Sequence, residues 1–358
     1  MSRPTNDHVR WALCAAVACA MFLPSSALAQ DDPPAGEHEG HPPSHDHDQG
    51  NAPIGVMAAH THGANQWMIS YRYMYMRMDG NLGGDTALSL QDVRDAGYMV
   101  VPENMDMHMH MVGAMFAPID ELTIALMLPV THMSMHHQGG MPLGAMQFDT
   151  HSVGVADMRV AALIRLFEDH NHQLLFGAGL VLPSGATHVR DDTPMGTQVR
   201  LPYPMRPGGG SVAGHPSFTY SGNADIVSWG AQASAVLPMH QNEDGYRLGF
   251  EYRGSVWGAV AIQPWFSASL RAAGVGRENI DGADPDMNPM MVPTADPNLR
   301  ALFRMEAYLG VSFSAPGTVL EGHRLSVEAG LPYYQNVTGP QLGSTFSLIA
   351  GWQWTPES

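Results

Sequence analysis

The sequence contains no lysine, only two cysteines and no long apolar run. All 17 basic residues are therefore arginine, against 34 acidic residues, and the formal net charge is −17. Such an acidic chain is a poor partner for nucleic acid, because phosphate binding requires a basic surface. After the first 29 residues, the longest apolar run, 122–130, covers nine residues, whereas a membrane-spanning helix needs about 18. An inner-membrane helical protein is therefore excluded.

The first 29 residues are typical of a signal peptide. A basic start precedes an apolar stretch over residues 11–23, and a small-x-small cleavage site ends at Ala29. Cys14 and Cys19 both fall inside this segment, so the exported chain is expected to lack disulfides. The predicted organisation is a signal peptide over 1–29, a disordered His-rich linker over 30–60 and a β-domain over 61–358.

From residue 66 onward, the chain shows the period of two that is typical of β-strands. Trp67 and Tyr71 share one face of the first segment, while Met68 and Arg72 share the other. Eleven such segments begin near residues 66, 105, 121, 153, 172, 223, 245, 261, 299, 323 and 344. Long strands, aromatic residues at strand ends and short turns alternating with long loops favour an all-β, antiparallel transmembrane β-barrel. Because even strand numbers are the rule, we expect about twelve strands.

The polar faces of several strands carry arginine and glutamate. In a transmembrane barrel the apolar faces meet lipid, so these charged side chains would line a wet lumen. The predicted pore-lining residues are Arg72, Arg159, Arg247, Glu251, Arg253, Arg304, Glu306, Arg324 and Glu328. Pairing across neighbouring strands would be their first role, and solute selectivity their second.

Methionine and histidine are abundant, at 26 and 19 residues, and are densest between residues 99 and 146. Residues 105–111 read MDMHMHM, which in a strand places Asp106, His108 and His110 on one face and four methionines on the other. Imidazole suits copper and zinc, and thioether sulfur selects Cu(I). We therefore predict a lumenal metal site at the three polar residues, with the methionine row facing lipid. The alternative is that these methionines are simply apolar surface.

Three further groups are candidate metal ligands. They are Met74 and Met76 in the first strand, the cluster His132, Met133, Met135, His136 and His137 in a predicted outer loop, and His45 with His47 in the linker. Methionine is unusual in a solvated loop, so the 132–137 cluster is the strongest candidate for copper binding. The alternative is a loop that folds inward on hydrophobic contacts. The linker histidines would collect ions loosely.

The segments GVADMRVAALIRLF, LLFGAGLVLPSG and LEGHRLSVEAGLPYYQNVTGPQL resemble a family of outer-membrane transporters catalogued with meta-pathway phenol-degradation proteins. The resemblance runs over most of residues 60–354. It implies a bacterial outer-membrane barrel of about a dozen strands, with aromatic or hydrophobic solutes inferred for some members. The segments MDMHMHMVGAMFAP and THMSMHH resemble a copper-associated branch.

The sequence thus predicts a non-enzymatic outer-membrane channel or transporter that handles soft metal, with copper as ligand or substrate. Its partners would be membrane lipid, the metal ion and a periplasmic metal carrier, and no cofactor is required. No hydrolase, P-loop, zincin or dinucleotide-binding motif occurs in the sequence. One alternative is a channel for small hydrophobic or aromatic solutes. A second is a soluble periplasmic metal-storage β-protein.

Overall fold

The computed structural model describes residues 52–140 and 146–356, which are mostly β-strand. The strands are β1 (Trp67–Gly84), β2 (Thr86–Leu88), β3 (Val100–Ile119), β4 (Leu122–Gly139), β5 (Gln147–Val155), β6 (Met158–Glu168), β7 (His172–Leu182), β8 (Arg190–Thr193), β9 (Gly196–Arg200), β10 (Ala213–Ala224), β11 (Val227–Pro238), β12 (Tyr246–Arg247), β13 (Glu251–Gln263), β14 (Phe266–Arg277), β15 (Asp281–Gly282), β16 (Leu302–Ser314) and β17 (His323–Trp354). Helix α1 (Leu90–Asp95) and 3-10 turns at Tyr203–Met205, Pro293–Ala295 and Pro297–Leu299 lie between them. Within the described residues, no helix is long and apolar enough to cross a membrane.

Eleven of the described strands close into a barrel. The order is β17-β16-β14-β13-β11-β10-β7-β6-β4-β3-β1, and β1 pairs back with β17. Two further strands extend this sheet, β2 beside β1 and β5 beside β4. All of these pairings are antiparallel. A closed sheet has no edge strand with unpaired backbone groups. A protein that crosses a membrane with β-strands needs this closure, because lipid offers no hydrogen-bond partners.

Strand β17 reverses direction within its length. Its residues 324–337 run antiparallel to β16, and its residues 337–354 run antiparallel to β1. Because directions alternate along the ten strands from β1 to β16, those two strands point opposite ways, and one straight strand could not be antiparallel to both. Gly339, with φ +71°, lies at the reversal. The chain therefore crosses the barrel twelve times, as predicted.

Apolar side chains cover the outside of the barrel. On β16, Leu309 is 71% exposed and the adjacent Tyr308 only 6%; on β3, Val112 is 61% exposed and the adjacent Met111 only 6%. A band of outward apolar residues is what a hydrocarbon environment requires. This surface does not fit the soluble periplasmic alternative.

Two parts of the strand prediction are wrong. Strand β10, Ala213–Ala224, begins between the segments predicted near residues 172 and 223, where no strand was predicted. This missing strand explains why only eleven segments were recognised. The alternation over 246–252 is not one barrel strand: β12 ends at Arg247 and pairs with β15, and β13 begins at Glu251. Tyr246 is only 1% exposed because it packs with Tyr203 and Ile280 of the outer loops.

Residues 52–66, here called the strap, run inside the barrel before β1 begins. Ile54 packs with Tyr308 and Ile349, and Val56 packs with Trp257. The predicted linker is therefore wrong for residues 52–60, because their apolar side chains are buried, while residues 30–51 lie outside the described residues. Trp257, in the middle of β13, points inward at 6% exposure.

Long loops fold over the lumen at one end of the barrel. This is the end opposite to the one where β1 begins. A buried ion network joins them: Arg200 Nε lies 3.1 Å from Asp284 Oδ2, and Arg206 Nη1 lies 2.8 Å from the same oxygen. This network fixes the loop between β9 and β10, whose Leu201 and Met205 are 1% and 0% exposed. Barrels of this type place short turns and termini in the periplasm, so these loops lie on the outer side.

Candidate functional site

One sector of the inner wall is built from methionine. In strands β1, β3 and β4 the inward positions carry Met68, Met74, Met76, Met78, Met105, Met107, Met109, Met111, Met115, Met127, Met133 and Met135. The register aligns them in rows: Met76 pairs with Met107, which pairs with Met133. We call this surface the methionine wall. It offers thioether sulfur and flexible apolar chains to anything inside the barrel.

The outer end of the methionine wall is packed most tightly. Met105, Met133 and Met135 form a buried cluster with Leu201 and Met205 of the outer loop. Met78 and Met107 pack against this cluster and are partly buried. The loop therefore adds a further thioether and closes this part of the lumen from outside.

The lumenal site predicted at Asp106, His108 and His110 is wrong, because these residues lie on the outer face. Register pairs them with the outward aromatic row of β1. The Tyr71 hydroxyl is 2.6 Å from His110 Nδ1, and the Tyr73 hydroxyl is 2.7 Å from His108 Nδ1. Asp106 accepts from the Tyr75 hydroxyl at 2.6 Å. Each polar group thus has a partner where lipid offers none.

Parity along the whole of β3 decides which face is outside. The face of Asp106, His108 and His110 continues into Val112 and Phe116, which are 61% and 46% exposed. The methionine face continues into Gly113, Met115 and Ala117, which are all buried. The seven residues MDMHMHM suggested the opposite assignment, because the most polar face was taken as lumenal. The lower half of the strand carries the signal that would have corrected it.

The cluster His132, Met133, Met135, His136 and His137 is in strand β4 rather than in a loop. Alternation divides it: Met133, Met135 and His137 are 3%, 1% and 3% exposed on the inner face, whereas His132 and His136 face outward. Outside, His136 Nδ1 lies 2.6 Å from Asp149 Oδ1. The five residues cannot surround one ion. In the part of the chain that the structure describes, no group of three His, Cys, Asp or Glu residues could hold a metal ion.

The remaining metal candidates differ in position. Met74 and Met76 belong to the methionine wall, and Met74 packs against the cluster that Ile54 of the strap forms with Tyr308 and Ile349. His45 and His47 lie outside the described residues. A metal-binding role for all four stays a prediction.

Charged residues line the sector formed by β13, β14, β16 and β17. Arg277 Nη2 and Arg253 Nη2 lie 2.8 and 2.7 Å from the two carboxylate oxygens of Glu251. Arg304 Nε lies 3.3 Å from Glu306 Oε1. Arg277 and Glu251 join the neighbouring strands β14 and β13, as expected for a lumenal charge ladder, whereas the other two pairs each lie within one strand.

Further inward charges flank this ladder. Arg72 and Arg159 pair in register with Met111 and Met127 of the methionine wall, which places them on the inner face. Arg324 and Glu328 are inward on β17, at 7% and 1% exposure. Arg271 was not predicted, although it alternates correctly with its neighbours; it lies over the Tyr308 ring at 3.9 Å. Arg247 is the exception among the predicted residues, since it lies on β12 beside Asp281 in the outer loops.

The strap is bound to the ladder through its backbone. The Gly55 N–H donates to Glu328, and Arg271 Nε donates to the other carboxylate oxygen of Glu328 at 2.9 Å. Arg324 Nη2 donates to the Ala52 carbonyl at 3.1 Å. The strap thus occupies the lower and middle lumen, below the outer part of the methionine wall.

Two histidines of the strap are enclosed inside the barrel. The rings of His60 and His62 meet edge to face, with 5.0 Å between their centroids. The backbone N–H of His62 donates to Thr123 Oγ1 at 3.0 Å. Burial lowers the pKa of His60 to about 3 and that of His62 to about 4. For His60, the neighbouring His62, Arg324 and Arg72 are part of this lowering of the pKa, because each opposes a second positive charge nearby. The docked strap therefore holds both imidazoles neutral at pH 7.

No family model matches the chain, and no curated protein matches it. Among solved structures, it is similar to the COG4313 outer membrane channel from Pseudomonas putida F1, with TM-score 0.58 and 12% identity over 84% of this chain and 99% of that one. The transport unit of the autotransporter AIDA-I from Escherichia coli is more distant, with TM-score 0.47, 10% identity and coverage of 84% and 93%. The CymD monoaromatic hydrocarbon channel has TM-score 0.38, 8% identity and coverage of 83% and 90%.

The first likeness concerns the fold alone. Together with the closed antiparallel ring and the apolar exterior, it identifies the chain as a transmembrane β-barrel. The wider family resemblance of the sequence segments stays a prediction.

Proposed function

We propose that this barrel is an outer-membrane channel for small hydrophobic or aromatic solutes. The methionine wall is the observation that supports it. Lumen positions in water-filled barrels are ordinarily polar, yet β1, β3 and β4 place twelve methionines there. Methionine adapts its shape and makes favourable contacts between sulfur and aromatic rings. Such a wall suits apolar solutes of varied outline.

Ion-current block in planar bilayers tests this proposal. Benzyl alcohol added to one side should interrupt the current transiently, with a frequency that rises with concentration. Met76→Ser with Met107→Ser should weaken the block, because both side chains lie on the inner face and are only partly buried. The matched control is Met195→Ser with Met239→Ser, since these methionines are 45% and 60% exposed elsewhere. Equal block in both double variants would contradict a role for the methionine wall.

Soft-metal handling is the second candidate, and the cluster of Met105, Met133, Met135 and Met205 favours it. Several thioethers that meet away from water are suitable ligands for Cu(I). Two observations make it the weaker proposal: the predicted ligands His108, His110, His132 and His136 point outward, and arginines outnumber carboxylates on the inner face. A periplasmic metal carrier would be a partner only under this second candidate.

A Cu(I) competition titration separates the two candidates. The full-length barrel would be compared with Met105→Leu, Met133→Leu and Met135→Leu combined, which keeps apolar volume but removes three sulfurs. We expect copper affinity to fall if the cluster binds metal. The same copper affinity in both proteins would assign any bound copper to the His-rich linker. Loss of copper binding after substitution of His45 and His47 would lead to the same assignment.

A further inference from the structure

We infer that the solutes of this channel carry a carboxylate, so that small aromatic or aliphatic carboxylates are its preferred class. This inference rests on the proposed channel function and adds a charge to the solute. Its basis is the position of the arginines. The chain as a whole has a net charge of −17, but the inner face of its barrel strands has the opposite sign.

Arginine outnumbers glutamate on the inner face. The inward charged residues of the described barrel strands are Arg72, Arg159, Arg165, Arg253, Arg271, Arg277, Arg304, Arg324, Glu168, Glu251, Glu306 and Glu328. Eight arginines against four glutamates leave an excess of four positive charges. Low-dielectric walls concentrate such a field in the space they enclose. Anions are therefore attracted to the lumen, and cations are repelled.

Pairing within the wall does not remove this excess. Glu251 is shared by Arg253 and Arg277, so one carboxylate faces two guanidinium groups. Arg72 and Arg159 make no ion pair within 4.0 Å among the residues that the structure describes. The buried Nε of Arg72 likewise has no hydrogen-bond partner among them. Neither guanidinium group is therefore neutralised by a neighbouring carboxylate, and both add positive charge to the lumen.

Positive charge and methionine face each other across the barrel. In a ring crossed twelve times, β13 lies six strands from β3 in either direction, and β14 lies six strands from β4. Arg253 and Arg277 thus oppose the wall that carries Met107 and Met133. Both arginines point inward, and their side chains are still 51% and 40% exposed. They therefore border open space inside the barrel.

The two sectors also lie at a similar distance from the periplasmic end. Met76 is nine residues beyond Trp67 at the start of β1, and Arg253 pairs with Val275, nine residues beyond Phe266 at the start of β14. A guanidinium group binds a carboxylate through two parallel hydrogen bonds. Methionine contacts an aromatic or aliphatic body on the other side. A solute with both parts is held at both ends, whereas a neutral or cationic analogue lacks one contact.

Three probes of equal size and different charge test the inference: benzoate, benzyl alcohol and benzylammonium. Current block would be measured with the full-length protein in planar bilayers, together with the reversal potential in a KCl gradient. We expect chloride-selective current and half-block by benzoate at about tenfold lower concentration than by benzyl alcohol, since one charge-assisted contact is worth about that factor. Benzylammonium should block least.

Variants assign the effect to the arginines. Arg253→Gln with Arg277→Gln should reduce the benzoate advantage to about twofold or less. Arg159→Gln is the second variant, because its removal leaves no carboxylate without a partner, and it should shift the reversal potential towards zero. Arg247→Gln, in the outer loops, is the control and should behave as the wild type.

The outcomes separate this inference from the proposed function. Block by benzyl alcohol and benzoate at equal concentrations would overturn the carboxylate preference and leave the hydrophobic-solute channel standing. An unchanged benzoate advantage in both arginine variants, with native migration on gels, would also overturn it. No block by any of the three probes would contradict the proposed function itself.

Discussion

The backbone N–H of Gly55 donates to the carboxylate of Glu328, which Arg271 also binds from the neighbouring sector of the wall. This contact joins two parts of the chain that are 273 residues apart. It holds the strap across the lumen at the depth where the barrel carries its buried charges. We therefore expect the strap to obstruct the passage of a solute through the barrel.

A side chain at residue 55 should release the strap. A Cβ atom there would collide with the guanidinium of Arg271 and the carboxylate of Glu328, and Arg271 has little freedom because it also lies over Tyr308. We expect Gly55→Val to raise single-channel conductance in planar bilayers. Gly63→Ala is the matched control, since its Cβ would lie 3.3 Å from the flexible end of Gln66. Unchanged conductance in Gly55→Val would show that the strap does not obstruct the current.

Acid should also weaken docking of the strap. The pKa of His60 is about 3 and that of His62 is about 4 in the docked state, whereas a released strap would have ordinary values near 6.5. The released state therefore binds more protons once the pH falls below about 6.5, so docking is favoured at neutral pH and lost as the pH falls. Between pH 6.5 and pH 5, the loss is about 2 kcal/mol for each histidine.

Conductance measured from pH 7.5 to pH 4.5 checks this dependence. The wild type should open progressively below pH 6.5, and His60→Asn with His62→Asn should respond much less. Arg72 and Arg324 face His60 and stay charged throughout this range, so they cannot produce the change themselves. A wild-type conductance that is independent of pH would contradict the prediction.

Packing at the outer end of the methionine wall should contribute measurably to stability. Met135 is 1% exposed within the buried methionine cluster. Met135→Ala should lower the free energy of unfolding by about 2–5 kcal/mol, as truncation of a buried methionine does. Urea unfolding of the folded barrel, followed by loss of heat-modifiable migration, measures it. Met195→Ala is the control, because Met195 is 45% exposed and lies outside the cluster.

The sequence predicted the barrel because alternation is a property of each strand alone. Trp67 and Tyr71 alternate with Met68 and Arg72 wherever the strand sits in the sheet, so the twelve-strand antiparallel fold could be inferred. Which face of a strand points outward is harder to infer, since methionine is compatible both with a lipid-facing surface and with a packed interior. Neighbouring strands settled it: Tyr73 pairs with His110, so the outward aromatic row of β1 carries the β3 histidines outward with it.

The strap could not be predicted in the same way. Ile54 and Val56 lie among proline, glycine and histidine, and nothing periodic marks them as buried. Their partners, Tyr308, Ile349 and Trp257, come from three distant strands and meet only when the barrel closes. The prediction that residues 132–137 lie in an outer loop was wrong for a related reason. These residues extend strand β4, whose length depends on its pairing with β3 and β5.

A charged substitution on the outer face tests the orientation of the whole wall. Leu309 lies near the middle of β16, is 71% exposed and alternates with the inward Tyr308. Because arginine at the bilayer midplane costs about 2–4 kcal/mol, Leu309→Arg should reduce the folded, membrane-inserted fraction and the heat-modifiable band. Leu320→Arg is the control, since Leu320 is 56% exposed in the turn between β16 and β17, where the cost near the interface falls to about 0–1 kcal/mol. Equal insertion of both variants would show that Leu309 does not face lipid. The assignment of the methionines and arginines to the inner face would then also be wrong, because the register fixes the orientation of each strand in the ring relative to its neighbours.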